Sequence, residues 1–412
     1  MIRGSCAPAL LCAVVVAACG DAAGVPTATV TDIAGVRIVT STAPAWADGK
    51  GWVIDSVPSL DIGGSDTDQN YDFVQVSGAV TLSDGRIAVL NSGTNEVRYY
   101  DSAGTWLSSS GRGGEGPGEF QSPFVLFRAA GDTLFVYDYQ LRRMARLAPD
   151  GSFLPPLPAS AEARGLLLPF ARLRDGSWVA SGLTIIGGEL TSGAHRPSEP
   201  LVHLADDLAV LDTLIVLPGS ETWVERGTST GGARMIGMRM LPLGLASSFT
   251  VGDSLIFAGD QARYQIGVYQ PDGTLVRSIR RSGGRREVTA AMLDQLKADE
   301  LANARDHDQA LANWEQMPKP SELPAFGELG LDADGNLWVA RPKVLRSDTT
   351  IADVFDPDGK WLGPVTIPPG FKPSEIGHDY MLGVWKDDVG LEHVRSYAID
   401  GKAGRREGGR TG

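Results

Sequence analysis

One pattern recurs along the chain and restricts what it can become. An apolar strand is followed by a turn containing Asp or Gly, then a second apolar strand, a loop, a third strand, an Asp-Gly-type turn and a fourth strand. The first turn of each unit appears at Ser83-Asp84-Gly85, Gly131-Asp132, Asp175-Gly176, Gly252-Asp253 and Asp334-Gly335. Short apolar runs follow, such as Ile87-Ala88-Val89-Leu90, Thr133-Leu134-Phe135-Val136 and Asn336-Leu337-Trp338-Val339. The second turn appears at Asp101-Ser102-Ala103-Gly104, Pro149-Asp150-Gly151, Asp206-Asp207, Pro271-Asp272-Gly273 and Pro357-Asp358-Gly359. Proline presets the backbone for such a corner, while Asp supplies a side-chain acceptor and Gly the left-handed position. Uninterrupted units spaced roughly 45–50 residues apart favour the blades of a β-propeller over a sandwich or an open solenoid.

Five units are complete. A sixth, from Phe371 to Asp400, has no room for a fourth strand before a Gly- and Arg-rich tail. The N-terminal segment Val57–Gly63 resembles the fourth strands elsewhere and would fill that vacancy. Closing a ring with strands from both termini removes an exposed edge, whose unpaired backbone groups promote association. The expected fold is therefore all-β: a six-bladed propeller of four-stranded blades over residues 35–400, closed by an N-terminal strand, with a disordered tail over 401–412.

A Gly-rich run, Gly111-Arg112-Gly113-Gly114-Glu115-Gly116-Pro117-Gly118-Glu119-Phe120, follows the first complete unit, with Pro123 beyond it. Here the chain resembles the NHL-type six-bladed propellers, and most closely the six-bladed propeller lipoproteins of environmental bacteria. The motif is well matched once; at 282–285 only Ser-Gly-Gly-Arg remains. Some NHL-type propellers are metal-dependent lyases using histidines from several inner strands, and lactonase-like propellers use an acidic and Asn metal set. No equivalent histidine set appears here, while the many turn aspartates leave a carboxylate set open. The run also satisfies G-x-G-x-x-G, but a dinucleotide site requires it to open a helix, and Pro117-Gly118 follow instead. The glycines are read as a tight crossing between strands.

The three cysteines, Cys6, Cys12 and Cys19, all lie in the first twenty residues, so the rest of the chain has neither a disulfide nor a thiolate metal site. Arg3 precedes an apolar run from Ala7 to Ala18, the pattern of an export signal. Val16-Ala17-Ala18-Cys19 resembles the bacterial lipobox, which implies a signal peptide over 1–18, lipidation of Cys19 and a tether over 19–34. The chain is then expected in the bacterial cell envelope, held by acyl chains alone and facing the periplasm or the cell exterior. A net charge of −13 disfavours nucleic acid as a partner.

Asp332-Ala333-Asp334-Gly335-Asn336 begins like a calcium loop, but position twelve is Lys343, so it is read as a turn. The five histidines have no metal-ligand spacing, and no cofactor is expected. Residues 287–317, between blades 4 and 5, carry apolar positions at helical spacing, among them Met292, Leu296, Leu301, Leu311 and Trp314. This segment is expected to act as a partial lid, its apolar positions packed on neighbouring loops. The long segments 182–199 and 341–350 follow second strands; 218–244 and 282–325 follow fourth strands. Strand parity sends all four to one end of the blades, where loops on a rigid scaffold hold ligands. Polar residues of that end are the candidate ligand contacts: Asn91, Asn95, Arg112, Glu115, Tyr139, Arg142, Gln261 and Arg263. The first functional reading is a non-enzymatic binding protein for a protein or glycan ligand. The second is a metal-dependent hydrolase or lyase with carboxylate ligands at the propeller axis.

Overall fold

A computed structural model describes residues 26–65, 67–158, 167–182, 191–229, 232–345 and 348–402. The expected signal peptide over 1–18, Cys19 and residues 403–412 lie outside these residues. The chain is nearly all-β. Sheet 1 holds strands Val76–Thr81, Ile87–Asn91, Glu96–Tyr100 and Trp106–Ser110; sheet 2 holds Pro123–Arg128, Leu134–Asp138, Arg143–Leu147 and Phe153–Pro158. Sheet 3 follows with Leu167–Arg172, Trp178–Gly182, Ser198–Leu204 and Val210–Pro218, and sheet 4 with Ser247–Val251, Ile256–Asp260, Gln265–Tyr269 and Leu275–Arg281. Sheet 5 holds Leu329–Leu331, Leu337–Ala340, Ile351–Phe355 and Trp361–Thr366; sheet 6 begins with Phe371–Ile376, Tyr380–Lys386 and Glu392–Asp400. Within each sheet these strands pair antiparallel in chain order.

The turns form by the chemistry that their residues carry. At the corner after Tyr100, one carboxylate oxygen of Asp101 accepts the N–H groups of Ala103 and Thr105, at 2.9 and 2.8 Å, while Gly104 takes φ +85°. These backbone N–H groups hold the Asp101 carboxyl below its ordinary value. The second strands of sheets 1, 2 and 3 are buried at every position. Their runs are apolar up to the last one or two residues because neighbouring sheets cover both faces.

Each core cluster straddles two successive sheets. Leu90 and Tyr99 pack on Leu126 and Val136, and Phe135 and Met144 on Trp178 and Val202. Val179 and Leu201 pack on Ile256 and Ala258, and Ile266 and Ile279 on Val339 and Phe355. Val354 and Trp338 then pack on Met381 and Tyr397. The sixth cluster joins Leu382 and Val394 of sheet 6 to Val89 and Tyr100 of sheet 1, with Ile62 between them. Leu60–Gly63 pairs antiparallel with residues 393–396 of sheet 6, and Val53–Ile54 pairs with Ile399 and Asp400.

Three expectations are corrected. Residues 28–33 are not tether: Ala28–Ile33 forms a hairpin with Val36–Ser41, which lies parallel to Leu275–Arg281 on the outer edge of sheet 4. Its alternating Thr and Val residues suit a strand. The tail does not begin at 401, because the buried Lys402 ammonium lies 3.0 Å from Asp332 and 3.2 Å from Asp334. The stretch 287–317, expected as a helical partial lid, forms two helices, Ala290–Ala302 and His307–Gln316. Thr289 caps the first by accepting the Met292 N–H, and Asp306 caps the second by accepting the Gln309 N–H. The first helix buries no residue and the second buries only Asn313 and Trp314, so the close apolar packing expected of a lid is absent from the first helix.

Candidate functional site

The long segments meet in two pairs. Gly193–His195, from the segment 182–199, pairs with Thr222–Val224 of the hairpin Thr222–Ser229 and Gly232–Met240, so two of them build a separate three-stranded sheet. Residues 183–190, 230–231 and 346–347 of the long segments lie outside the described residues. Arg196 ties this sheet to sheet 4: its guanidinium reaches Asp260 at 2.6 Å and donates to the carbonyls of Gly219 and Ala246. Gln261 continues the connection, accepting the Ala246 N–H and donating to the Gly327 carbonyl. All of these contacts lie where second strands end and the next sheets begin.

The polar residues named from the sequence divide into pins and exposed groups. Asn91 is fully buried; its side chain accepts the Val74 N–H at 2.8 Å and donates to Thr94 Oγ1 and the Asp72 carbonyl. It fastens the crossing into sheet 1 and cannot reach a ligand, which corrects its assignment as a contact. Gln261 is likewise a pin. Glu115 accepts from Gln121 Nε2 at 2.8 Å within the Gly-rich crossing. In that crossing Arg112 pairs with Glu119, whose carboxylate also accepts the Gly116 N–H. A Cβ at Gly111 would lie 2.7 Å from the buried Phe120 ring, and its φ is +101°. The next element is the strand Pro123–Arg128, so the run is a folded crossing and not a phosphate loop. Asn95 is half-buried at φ +60°, while Arg112, Tyr139, Arg142 and Arg263 are exposed.

The best-defined site lies between sheets 4 and 5. Segments 282–325 and 341–350 enclose a cavity of about 450 Å³ lined by Arg281, Arg285, Arg286, Arg341 and Lys343, with apolar wall from Met292, Pro324, Pro342, Val344 and Ile351. Two of these arginines, Arg281 and Arg341, meet on the fully buried Asp353. The Arg281 Nη1 donates to Asp353 Oδ2, and Arg341 Nη2 donates to Oδ1 at 2.8 Å. The Tyr264 hydroxyl donates to the same carboxylate at 3.2 Å. Burial of that hydroxyl, with Asp353 beside it, pushes the phenol well above its ordinary pKa, so it remains a neutral donor. The Arg281 guanidinium carbon lies 4.7 Å from the Tyr264 ring centre and 4.9 Å from that of Trp361.

None of these cavity residues was among the sequence candidates. A signal existed: Arg280, Arg281, Arg285 and Arg286 put four arginines into seven residues of an acidic chain. A second cavity of about 500 Å³ lies among the short turns of sheets 1 to 4. There Arg174 pairs with Asp253 at 2.8 Å, and Asp132 accepts the Ser83 N–H. No long segment shapes that cavity. The Asp332 loop is a turn, its carboxylate accepting from the Asp334 and Asn336 N–H groups and from Trp338 Nε1. Among the described residues no three His, Cys, Asp or Glu side chains come together as a metal site. No helix among them is long and apolar enough to cross a membrane.

No protein-family model matches the chain, and no curated protein matches it. Solved structures resemble it. A member of the DUF4221 family from Bacteroides vulgatus superposes with TM-score 0.50 at 9% identity, over 85% of this chain and 99% of the other. A Bacteroides fragilis protein described as exported gives 0.49 at 13% identity, over 88% and 99%. Virginiamycin B lyase from Staphylococcus aureus gives 0.40 at 10% identity, over 84% and 99%. At these identities the likeness concerns the fold alone. The fold is a β-propeller.

Proposed function

We propose that this chain is a lipid-anchored, six-bladed propeller of the NHL-like type, exported to the cell envelope, that binds a protein or glycan ligand on its loop-bearing face without chemically transforming it. The observation that carries this reading is the pairing of long segments at one end of the strands, two in an added sheet and two around a cavity. Loops vary freely on a rigid scaffold, so a cluster of long ones concentrates recognition there. Ring closure is supported by six core clusters, the last linking sheet 6 to sheet 1 through Ile62.

Two measurements test it. Replacing Tyr139 or Gln295 with the photo-crosslinker p-benzoylphenylalanine should give mass-shifted adducts in cells, because both positions are exposed on the loop-bearing face. The same replacement at Asp272 or Asp358, on the short turns, should give none. Equal labelling from both faces would sink the reading. Separately, Cys19→Ala should abolish incorporation of labelled palmitate; incorporation that persists rejects the anchor.

A further inference from the structure

We propose that the cavity between sheets 4 and 5 takes a compact organic anion, a carboxylate or phosphate carried on a partly apolar body. The inference rests on the loop-bearing face being the binding face and adds a small ligand to the protein or glycan proposed to bind there.

Charge is the first reason. The chain as a whole is acidic, at −13, yet five cationic side chains converge on this one cavity. The nearby carboxylates are already engaged. Asp353 is shared between Arg281 and Arg341, and Glu322 pairs with Arg285 at 3.3 Å. Asp348 accepts the N–H groups of Val344 and Leu345 at 3.1 and 2.8 Å. One carboxylate shared by two guanidinium groups leaves that pair with a positive charge in excess, and a cleft focuses its field on an entering anion.

Preorganisation is the second. Arg281 is held between two rings and anchored to Asp353; Arg341 is forked onto the same carboxylate. Arg285 donates to the carbonyls of Leu323 and Glu322, and Arg286 to that of Pro342. Each guanidinium has five N–H donors in a rigid plane, more than these anchors use. Planes fixed before the ligand arrives lose little entropy on binding it. Had these arginines served only to tie the insertions down, one carboxylate per cation would complete the job without excess charge.

The walls are the third reason. Met292 of the first helix, Pro324, Pro342, Val344 and Ile351 put carbon around the cationic patch. A bare inorganic ion would leave that surface wet. A volume of about 450 Å³ suits a small molecule.

Calorimetric titration of the protein with hexanoate, hexyl phosphate, hexanol and inorganic phosphate tests this. Hexanoate or hexyl phosphate should bind, hexanol should not, and inorganic phosphate should bind more weakly than hexyl phosphate. Either ordering of the two hexyl anions supports the proposal, and the tighter one names the headgroup. Arg286→Gln should weaken the tighter anion about tenfold, a loss of about 1.4 kcal/mol. Arg286 is exposed and is anchored by one bond to Pro342, so this variant should melt as the parent does. Hexanol binding as tightly as the anions would overturn the proposal. So would anion binding that is unchanged in both Arg286→Gln and Arg285→Gln, or inorganic phosphate matching hexyl phosphate. Crosslinks from Tyr139 or Gln295 without anion binding would reject the ligand class and leave the binding face standing; no crosslinks from either would reject the face itself.

Discussion

Deleting residues 26–64 should abolish the protein's cooperative melting and cause it to aggregate. The segment supplies three pairings with strands far along the chain. Leu60–Gly63 is the outer partner of Glu392–Asp400, Val53–Ile54 extends that pairing, and Val36–Ser41 covers the edge of sheet 4. It also brings buried side chains: Ile62 at 1% exposure between the first and last sheets, Ile54, and Val39. Trp46 and Trp52 stack toward Trp338 with ring centres 5.2 and 6.0 Å apart in turn. Each buried aliphatic side chain contributes about 1.5–3 kcal/mol, so three of them approach the whole stability of an ordinary domain, about 5–15 kcal/mol. Losing the strand also exposes the backbone edge of Glu392–Asp400. Circular dichroism melting and light scattering check this. A truncated protein that melts as sharply and as high as the parent would show that the pairing is dispensable. The milder Ile62→Ala should cost about 2–4 kcal/mol through the cavity it leaves.

Asp353→Leu should be the most damaging single substitution near the cavity. The carboxylate is fully buried and is the shared counter-charge of Arg281 and Arg341, whose side chains are 24% and 37% exposed. Removing it leaves two guanidinium groups facing each other and the Tyr264 hydroxyl without its acceptor. Breaking a buried pair by removing one partner costs about 3–5 kcal/mol; partial access to water here reduces that to about 2–4 kcal/mol. A fall in Tm of several degrees should follow. Adding Arg281→Met should recover part of the loss, because one of the stranded charges is then gone. An unchanged Tm in Asp353→Leu would mean that the arginines are held without it.

How much of this was legible depended on the range of the interaction. Turns at Asp101-Gly104 and Asp150-Gly151 were readable because the acceptor, the N–H groups and the left-handed glycine all lie within a few residues. The second strands were readable because burial on both faces demands an apolar run. The strand ending at Gly63 was readable as a spare partner because the last unit lacked one. The hairpin of Ala28–Ile33 and Val36–Ser41 was missed: its place on sheet 4 is set by residues 277–281, and a parallel pairing across that separation leaves no local mark.

Asn91 and Gln261 show why a ligand contact and a backbone pin read alike in sequence. A polar residue at the end of a strand has the same signature whether it faces a ligand or pins a backbone N–H. Only the position of Val74 or Ala246 beside it decides the matter. Conversely, Arg281, Arg341 and Asp353 sit on three separate segments, and each alone resembles a surface charge. The sequence by itself determined the repeated four-stranded unit, its corners and the strands buried on both faces, because those follow from propensity and burial within single segments. Only the tertiary structure decided which arginines share one carboxylate and enclose a cavity, because electrostatic coupling depends on distances between segments that the chain order leaves open.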